Sequence, residues 1–586
     1  MSSISLIIVS AAVLYSAVLP PTEDRLSAER APSPDHLPAS TFLGGSGEEG
    51  WIYSGEVDNA IAADGSILVA GITASSDFPT RSGCYECTTC GSQDLFIARF
   101  SPDLSELLSV AVIGGSGDDQ SPQICVHGSN IYLAGLTYSE DFPTTPGAFR
   151  SAYSGNGDIF VAKFDAELTT LLASTYLGSP SFDGYYPSLA IDDLGNVFIA
   201  SNTPDEAFPT AASAYCDSIA GLNDCFVVRL SNDLSSLTAG TFIGGRYEEK
   251  AGIMAIAQDD NVVLATASES DDYPTTAGAY ETDFHGPPQP GEYIHDVTIS
   301  IFNNDLSSLV ASTYVGDSDY EGASLLTIGQ GGSIFVGGHT SSPGYPVTAG
   351  VIDPVHNGTN EFFITRMSSD LTTLEASTFL TPGPGEGSGF VYRTDMTSNT
   401  HGEIVLVGSA FDDSVFCTPS AYDSTFSGGA SDIHVAVLSS NLTAMAYASY
   451  LGGTGDEGDA SVVAGQDRDF HVASYTSSGD FPMVGSPWQT VHGGGSKDCV
   501  AARFLIPCCG VYTGGYTGNT DCSADGKRNL SDITRLIDHV YIEQAPLCCP
   551  ANGNTSGDAE GKVNLSDITA LIDHVYVSQE EIAVCP

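Results

Sequence analysis

The chain has 586 residues, of which 42 % are hydrophobic and 16 % are charged. A chain of this length is too long to fold around one ordinary hydrophobic core, so we expect several domains or a closed repeat array. The 73 acidic and 18 basic residues give a formal net charge of −55, a field that repels phosphate backbones and anionic lipid and therefore argues against nucleic-acid and membrane-surface binding. The 64 glycines are typical of many short strands joined by tight turns.

The first residues have the character of an export signal. Ile4 to Pro20 is an apolar run of signal-peptide length with small residues near Ala17, although no Lys or Arg precedes Arg25 and the usual basic segment is therefore missing. The run is shorter than a typical membrane span. We predict a signal peptide over 1–20, a flexible leader over 21–38, and a secreted or cell-surface protein of the bacterial exported type.

The 14 cysteines are clustered, with six of them in the last 79 residues. Cys84, Cys87 and Cys90 share one loop, and Cys216 and Cys225 flank another. Such clusters indicate either disulfides in an oxidising compartment or a zinc site. Because no fourth ligand lies near the first cluster and histidine is scarce, the sequence favours disulfides.

A strand of the form ASTYLGG recurs along the chain, and its clearest copy is Leu171 to Gly178. Self-similarity at a fixed period indicates a repeat architecture. The hydrophobic residue before the glycine position recurs every 64 to 72 residues, at Leu43, Ile113, Leu177, Ile243, Val315, Leu380 and Leu451.

Each copy continues with the same succession of short elements. A second strand is followed by an aromatic-Pro turn such as Phe142-Pro143, and then by a third strand that opens on an acidic residue. The sixth copy departs from the pattern with Phe416-Cys417 in the turn. The strands are β-branched and aromatic, and Gly, Pro, Asn and Asp bound them.

Charged side chains recur at two positions of the third strand. A residue that recurs in every copy is more often a turn cap than a catalyst, which has to be unique, so we interpret both sets as structural. The opening acids are Asp94, Asp158, Asp224, Asp296, Glu361, Asp432 and Asp498. The basic residues at the second position are Arg99, Lys163, Arg229, Arg366 and Arg503.

Regular short strands without helical periodicity predict an all-β seven-bladed β-propeller over 39–507, with four strands per blade. The last copy ends near Phe504 without its own ASTYLGG strand, whereas the first copy carries a spare one at Ala39 to Gly45. We therefore expect the N-terminal strand to complete the last blade and close the ring. An open β-solenoid is the competing interpretation, but a capping repeat would be expected there instead.

The recurring ASTYLGG, the NVFIA-type strand, FPTTPGAF at Phe142 and DIFVAKF at Asp158 resemble the SBBP family of β-propeller repeats. This resemblance covers Ala39 to about Pro507. Its motifs are structural, with glycines for turns and an alternation of apolar residues for blade packing, so it implies a fold rather than a function.

From Cys508 the composition changes. A linker over 508–520 precedes two related segments 35 residues apart, each a twelve-residue loop followed by a short helix whose apolar residues repeat at i, i+3, i+4 and i+7. A calcium loop supplies oxygens at positions 1, 3, 5, 7, 9 and 12, with glycine at position 6 for the sharp turn. The first loop offers Asp521, Ser523, Asp525, the Lys527 carbonyl, Asn529 and Asp532, and the second offers Ser556, Asp558, Glu560, the Lys562 or Val563 carbonyl, Asn564 and Asp567.

These paired segments resemble type I dockerin modules, and we place a small α-helical dockerin-like domain over 521–586. The resemblance implies two Ca²⁺ sites and a cohesin-type protein partner. Ser556 and Glu560 depart from the usual Asp at positions 1 and 5, so the first site is expected to bind more tightly than the second. The alternatives are metal-free turns that cap two helices, and a module that folds back on its own propeller.

No signature of a zinc protease, serine hydrolase or phosphate-binding loop is present in the sequence. The first function hypothesis is a secreted, non-enzymatic binding or scaffold protein whose propeller presents loops to a glycan or protein. The second is an exported carbohydrate-active enzyme, either a glycoside hydrolase or a polysaccharide lyase. Two carboxylates from different blades facing each other across the central cleft at glycosidase separation would favour the enzyme.

Overall fold

The computed structural model describes residues 36–506 except 51–56, 86–88, 185, 287–293, 359, 381–390 and 467. These residues form 28 β-strands, and a single 3-10 turn at Gln330–Gly332 is the one helical element that they contain. The strands assemble into seven sheets of four antiparallel strands, which confirms the predicted seven-bladed propeller. No helix in the described ranges is long and apolar enough to cross a membrane. The predicted signal peptide, the leader up to residue 35, the linker and the dockerin-like module lie outside the described residues. The end of the predicted flexible leader is instead part of the fold, because Leu37 is fully buried in one core cluster with Phe42.

Each of the first six blades is made of four strands that are consecutive in the chain. Blades 1 to 3 contain β2 (Asp58–Ile61), β3 (Ile67–Thr73), β4 (Asp94–Phe100), β5 (Leu107–Ile113), β6 (Asp119–His127), β7 (Asn130–Thr137), β8 (Asp158–Phe164), β9 (Leu171–Leu177), β10 (Ser188–Ile191), β11 (Val197–Thr203), β12 (Asp224–Leu230) and β13 (Leu237–Ile243). Blades 4 to 6 contain β14 (Ile253–Ile256), β15 (Val262–Ser268), β16 (Asp296–Phe302), β17 (Leu309–Val315), β18 (Glu321–Ile328), β19 (Ile334–Thr340), β20 (Glu361–Met367), β21 (Leu374–Phe379), β22 (Val391–Ser398), β23 (Ile404–Ala410), β24 (Asp432–Leu438) and β25 (Met445–Leu451).

Blade 7 joins the two ends of the repeat array. Its first three strands are β26 (Glu457–Ala464), β27 (Asp469–Thr476) and β28 (Asp498–Leu505), and its fourth is β1 (Ala39–Leu43). The β1 strand pairs antiparallel with β28. The predicted closure by the N-terminal strand is thus confirmed, and the recurring ASTYLGG segment is the outermost strand of its blade.

The middle strands of each blade are buried on both faces because every blade packs between two neighbours. All seven residues of β8 are buried. One core cluster joins Ile97 of blade 1 to Ile131 and Phe160 of blade 2. This arrangement explains why the strands read as continuous apolar runs rather than as an alternation of apolar and polar residues.

A buried leucine in the turn between the third and fourth strands connects neighbouring blades. It adopts positive φ, for example 56° at Leu168, a conformation that costs an ordinary residue about 1 kcal/mol or more. Its side chain is fully buried, and its carbonyl accepts the N–H of Tyr85 in the preceding blade at 3.2 Å. The same leucine occurs with positive φ at Leu104, Leu168, Leu234, Leu306, Leu371 and Leu442.

The aromatic-Pro turn covers the third strand of its own blade, as Phe142 does by packing against Phe160 with ring centroids 4.3 Å apart. In blade 6 the structure corrects the predicted register of this turn. Val415 is the buried residue there, and its N–H bonds the Tyr450 hydroxyl at 3.2 Å, whereas Phe416 is 54 % exposed. Val415 therefore takes the place of the aromatic residue, and Phe416 takes the place of the proline.

Candidate functional site

The innermost strands of the seven blades line a central channel, which encloses a cavity of about 690 Å³. In each blade, one residue of the innermost strand pairs with the same repeat position of the second strand. These seven equivalent residues form a ring around the channel. This ring consists of Asp58, Gln123, Ser188, Ile253, Leu325, Asp395 and Ser461. Unlike the acids of the third strand, these residues differ from blade to blade, so this ring is where the repeat loses its symmetry.

Two of the seven residues are carboxylates, and they meet on one hydroxyl. The Ser461 Oγ lies 3.0 Å from Asp58 Oδ1 and 2.9 Å from Asp395 Oδ2. Because both oxygens are within 3.0 Å of the same atom, they are no more than about 6 Å apart, close to the separation of glycosidase carboxyl pairs. The three residues come from blades 6, 7 and 1, which are consecutive around the ring.

Each carboxylate also accepts backbone N–H groups from its own strand and from the next blade. Asp58 Oδ2 accepts the N–H of Ile124 at 2.7 Å, and Asp395 Oδ2 accepts that of Val462 at 2.8 Å. Their other oxygens accept the N–H of the residue that follows each of them in the chain. Both carboxylates are thereby fixed in orientation while still bordering the cavity.

Burial dominates the electrostatics of this pair. Burial, followed by repulsion from Asp395, raises the pKa of Asp58 to about 7, against the opposing effect of the N–H groups that it accepts. Burial also raises the pKa of Asp395 above its ordinary value. At neutral pH the two carboxyls therefore do not titrate as two ordinary aspartates, and a pair of this kind is typical of a functional site.

Blade 3 shows that bridging two blades at this position does not require a charge. There the Ser188 hydroxyl accepts the N–H of Met254 in blade 4 at 3.0 Å, the same contact that Asp58 and Asp395 make with their own neighbouring blades. Since a neutral hydroxyl is sufficient and a buried carboxylate is costly, the acids at 58 and 395 are better explained by a ligand than by stability.

The remaining wall of the channel combines apolar and polar side chains. Leu189, Met254 and Leu325 contribute to it, and Tyr186, which is 55 % exposed, stands beside them. A third acid, Asp459, also borders the cavity. No Lys, Arg or His lies among the described residues that line it. The site is thus a cavity of mixed polarity in which carboxylates and hydroxyls converge beside apolar side chains, an arrangement that can bind a small polar ligand.

The recurrent acids of the third strand lie elsewhere, at the junctions between blades. One oxygen of each caps a turn as predicted: Asp158 Oδ2 accepts the N–H of Ser154 at 2.7 Å. The other oxygen of Asp158, which no donor in the described residues reaches, faces a second buried acid at the start of the next blade, Asp183. The described junctions pair Asp94 with Asp119, Asp158 with Asp183, Asp224 with Glu249, Asp296 with Glu321, Asp432 with Glu457, and Asp498 with Glu49.

These pairs explain the first glycine of the LGG motif. At Gly178 a Cβ atom would lie 2.6 Å from Asp158 Oδ1 and 3.0 Å from Asp183 Oδ2, so any side chain there would collide with both carboxyls. The glycines of the motif were predicted to form turns, whereas this glycine leaves room for an acid pair. Burial raises the pKa of the second acid in most pairs, to about 7 at Asp119 and to about 8 at Glu321.

The recurrent basic residues have the structural role that was predicted for them. Lys163 Nζ donates to the Asn232 carbonyl in the next blade at 3.1 Å, and Arg229 Nη1 donates to the Asn304 carbonyl at 3.1 Å. Arg503 instead pairs with Asp469 within blade 7 at 2.8 Å. Lys163 and Arg229 thus connect neighbouring blades, on the side of the ring opposite the acid pairs.

The other predicted sites are tested unevenly. Cys216 and Cys225 are both free thiols, so they do not form the disulfide that their spacing suggested. The calcium-loop residues from Asp521 to Asp567 lie outside the described residues and remain predictions. Within the described part of the chain, no group of three or more His, Cys, Asp or Glu side chains is arranged to hold a metal ion.

No protein-family model and no curated protein sequence matches the chain. Among solved structures, the chain is similar to a protein of unknown function from Dyadobacter fermentans (12 % identity, 81 % of this chain and 100 % of that one, TM-score 0.37). It is also similar to BamB from Moraxella catarrhalis (9 %, 80 % and 99 %, TM-score 0.34) and to the polysaccharide lyase Uly1 (8 %, 80 % and 97 %, TM-score 0.39). Likeness at this level concerns the fold and gives no argument about function.

The channel carboxylates were missed by the sequence analysis because it searched for residues that recur. The residues that mark this site are instead those that do not recur. Aligning the seven copies on the second strand places Asp58 and Asp395 where other copies have Gln123, Ile253 or Leu325, and a charge in only two of seven copies marks a departure from the structural pattern.

Proposed function

We propose that the protein is a secreted or cell-surface glycan-binding protein without catalytic activity, and that its ligand binds in the central channel. The observation that carries the proposal is the pair of carboxylates at Asp58 and Asp395, held on the Ser461 hydroxyl. Carboxylates accept hydrogen bonds from the adjacent hydroxyls of a sugar. The apolar wall at Leu189 and Met254 offers a surface for the C–H face of the ring.

Size and charge support the same ligand class. A volume of about 690 Å³ lies within the range of small-molecule sites and accommodates one or two sugar units. The net charge of −55 and the three acids around the cavity disfavour phosphorylated or other anionic ligands. Neutral hydroxyl-rich molecules are not subject to this repulsion.

The test is binding of the purified full-length protein to an array of neutral glycans, followed by titration calorimetry with each glycan that binds. Asp58→Asn and Asp395→Asn are expected to weaken binding at least tenfold, because each replaces a double acceptor by a group with a single acceptor oxygen. Asp193→Asn is the matched control, since Asp193 is exposed and lies in the turn between β10 and β11. Unchanged affinity in both channel variants would refute the proposal.

The same pair of carboxylates favours a second candidate, a carbohydrate-active enzyme. Two carboxyls at most about 6 Å apart meet the distance requirement of a glycosidase. The pKa values of both are raised, and repulsion between them favours one protonated acid beside one ionised nucleophile. Asp58 would serve as the acid and Asp395 as the nucleophile. Against this role, both oxygens of Asp395 accept backbone N–H groups, which reduces its nucleophilicity.

Prolonged incubation with each bound glycan separates the two candidates. An enzyme releases new reducing ends or unsaturated products, and Asp395→Asn abolishes that release while Asp193→Asn does not. A binding protein returns the glycan intact, as judged by mass spectrometry of the recovered ligand.

In this proposal the C-terminal segment attaches the propeller to a partner. Calcium ordering of the loops at Asp521 and Ser556 would expose two helices to a cohesin-like protein. A pull-down from the native extracellular fraction, with the full chain as bait in Ca²⁺ or in EDTA, tests this part independently of glycan binding. A partner retained equally in both conditions, or none in either, would refute calcium-dependent docking.

A further inference from the structure

Two lateral grooves lie beside the central channel. The first lies between blades 3 and 4, has a volume of about 320 Å³, and shares Tyr186 and Ala251 with the channel wall. The second lies between blades 6 and 7, has a volume of about 250 Å³, and shares Asp459 with the channel wall. Because the cavities share wall residues, each groove borders the channel.

The grooves occupy equivalent places in the repeat. Asn202 and Ser409 are the residues before the last residue of the second strand in their blades, and they line the first and second groove respectively. Asn223 and Ser431 each precede the first acid of the third strand, and they also line the two grooves. Equivalent positions of a propeller repeat lie on the same face of the ring, so both grooves open on one face.

The two grooves also lie nearly opposite each other. Junction 3–4 and junction 6–7 are separated by three blades in one direction and by four in the other. A line from one groove to the other therefore crosses the mouth of the channel close to a diameter. On the second side this line passes Asp459 and then Ser461, which belong to the same inner strand.

Each groove carries an exposed aromatic ring. Tyr186 is 55 % exposed in the first groove and Phe411 is 43 % exposed in the second. Side-chain amides and hydroxyls lie beside the rings, such as Asn202, Asn223 and Ser431. Each groove also contains charges of both signs, from Glu248 and Lys250 in the first and from Asp456, Glu457, Asp459 and Lys497 in the second. Aromatic rings beside amides and hydroxyls suit sugar units, which combine an apolar ring face with an edge of hydroxyls. An extended peptide would instead seek backbone partners along a strand edge.

We infer that the ligand is a linear polysaccharide that lies across the face of the propeller, with its central units over the Asp58–Ser461–Asp395 cluster and its flanking units in the two grooves. This inference rests on the proposed glycan function and extends it from one or two sugar units to a chain. The grooves act as outer subsites, and Tyr186 and Phe411 are the positioning residues of these subsites.

The test compares binding of the full-length protein to oligosaccharides of increasing length from xylan, mannan and mixed-linkage β-glucan. For the glycan that binds, affinity is expected to rise by at least tenfold from the disaccharide to chains long enough to reach both grooves. Phe411→Ala is expected to weaken binding of the long chain by about three- to tenfold while leaving the disaccharide unaffected, because Phe411 lines only the groove. Tyr186→Ala also alters the channel wall, so it is expected to weaken binding of the long chain more than binding of the disaccharide.

Phe416→Ala is the matched control, because Phe416 is equally exposed in blade 6 and lines neither the channel nor the two grooves. If affinity is the same for short and long chains, or if the groove variants bind the long chain like the wild type, the inference is wrong while channel binding stands. If none of the three glycans binds, or if a panel of unstructured peptides binds in their place, both the inference and the glycan function fail.

Discussion

Asp94 and Asp119 face each other at the junction of blades 1 and 2, across the point where a Cβ atom of Gly114 would lie. Both side chains are almost completely buried, and each has one oxygen that no donor in the described residues reaches. Two carboxylates in this position repel each other, and a proton held between them removes the repulsion. Five other junctions repeat the arrangement, so the ring contains a set of buried sites that favour protonation.

The first prediction is a loss of stability with rising pH that Asp119→Asn reduces. An unfolded aspartate has a pKa near 3.9, whereas burial raises the pKa of Asp119 in the folded protein to about 7. Between these values the folded state holds the extra proton, so its contribution to the free energy of unfolding is complete below about pH 4 and is lost as the pH rises through 7. Because asparagine does not ionise, the free energy of unfolding of the variant should be about 1–3 kcal/mol higher than that of the wild type at pH 8.

Urea denaturation at pH 5 and pH 8 measures this difference. Asp193→Asn removes one exposed charge of the same sign and controls for the general repulsion of a strongly acidic protein. A pH slope for Asp119→Asn equal to that of Asp193→Asn would show that no proton is held at the junction.

The second prediction concerns the glycine between the two acids. Gly114→Ala places a methyl group against both carboxyls, and we expect a loss of about 1–3 kcal/mol in the free energy of unfolding. Gly479→Ala is the matched control, since a Cβ there has no atom within 4 Å and needs no unusual φ. Thermal and urea melts of the two variants give the comparison. Equal stability of both variants would contradict the steric role of Gly114.

The third prediction tests closure of the ring. Deleting residues 1–43 removes β1 and leaves β28 as an unpaired edge, which can then pair with a strand of another molecule. It also exposes the core that Phe42 fills, at a cost of about 3–5 kcal/mol for that side chain alone. Size-exclusion chromatography should show aggregation, or thermal denaturation should show a broadened, less cooperative transition. Deleting only residues 1–34 retains β1 and should leave both properties unchanged; a compact monomer in the longer deletion would exclude the closing role.

The fourth prediction separates connections between blades from surface ion pairs. Lys163→Met keeps the aliphatic stem but removes the bond to the Asn232 carbonyl, so we expect a loss of about 1–2 kcal/mol in stability. Arg246→Met removes an exposed pair with Asp271 and is expected to change stability by less than about 1 kcal/mol. Urea denaturation of both variants decides, and a larger effect of Arg246→Met would overturn this ranking.

The fold was predictable because its determinants recur. Seven copies of one strand pattern defined seven blades, and a spare copy at Ala39 together with a missing one after Phe504 predicted which strands pair. The register of the sixth turn was not predictable in the same way. Val415 and Phe416 are both apolar, so only packing against Tyr450 shows which of them is buried.

The candidate site was predictable only as a location, the loops and inner strands around the channel. Asp58 and Asp395 are 337 residues apart, and nothing in their local sequence relates them. Their meeting on Ser461 follows from closure of the ring, which makes blades 6, 7 and 1 consecutive. Only one half of each acid pair at the junctions was recognised, the acid of the third strand. The partners recur as well, as Asp or Glu five residues after the first glycine of the motif, but only the folded ring shows that the two sets of acids meet.

The pairing of β1 with β28 also determines the order in which the protein can become complete. Ala39 lies opposite Arg503, so the first strand to leave the ribosome is the last to find its partner. The entropy of closing so long a loop grows only with the logarithm of its length, yet contacts this distant in sequence form slowly. We therefore expect refolding to populate a species in which six blades are formed and the seventh lacks its outer strand. During that interval proteases and chaperones have access to an open β-edge.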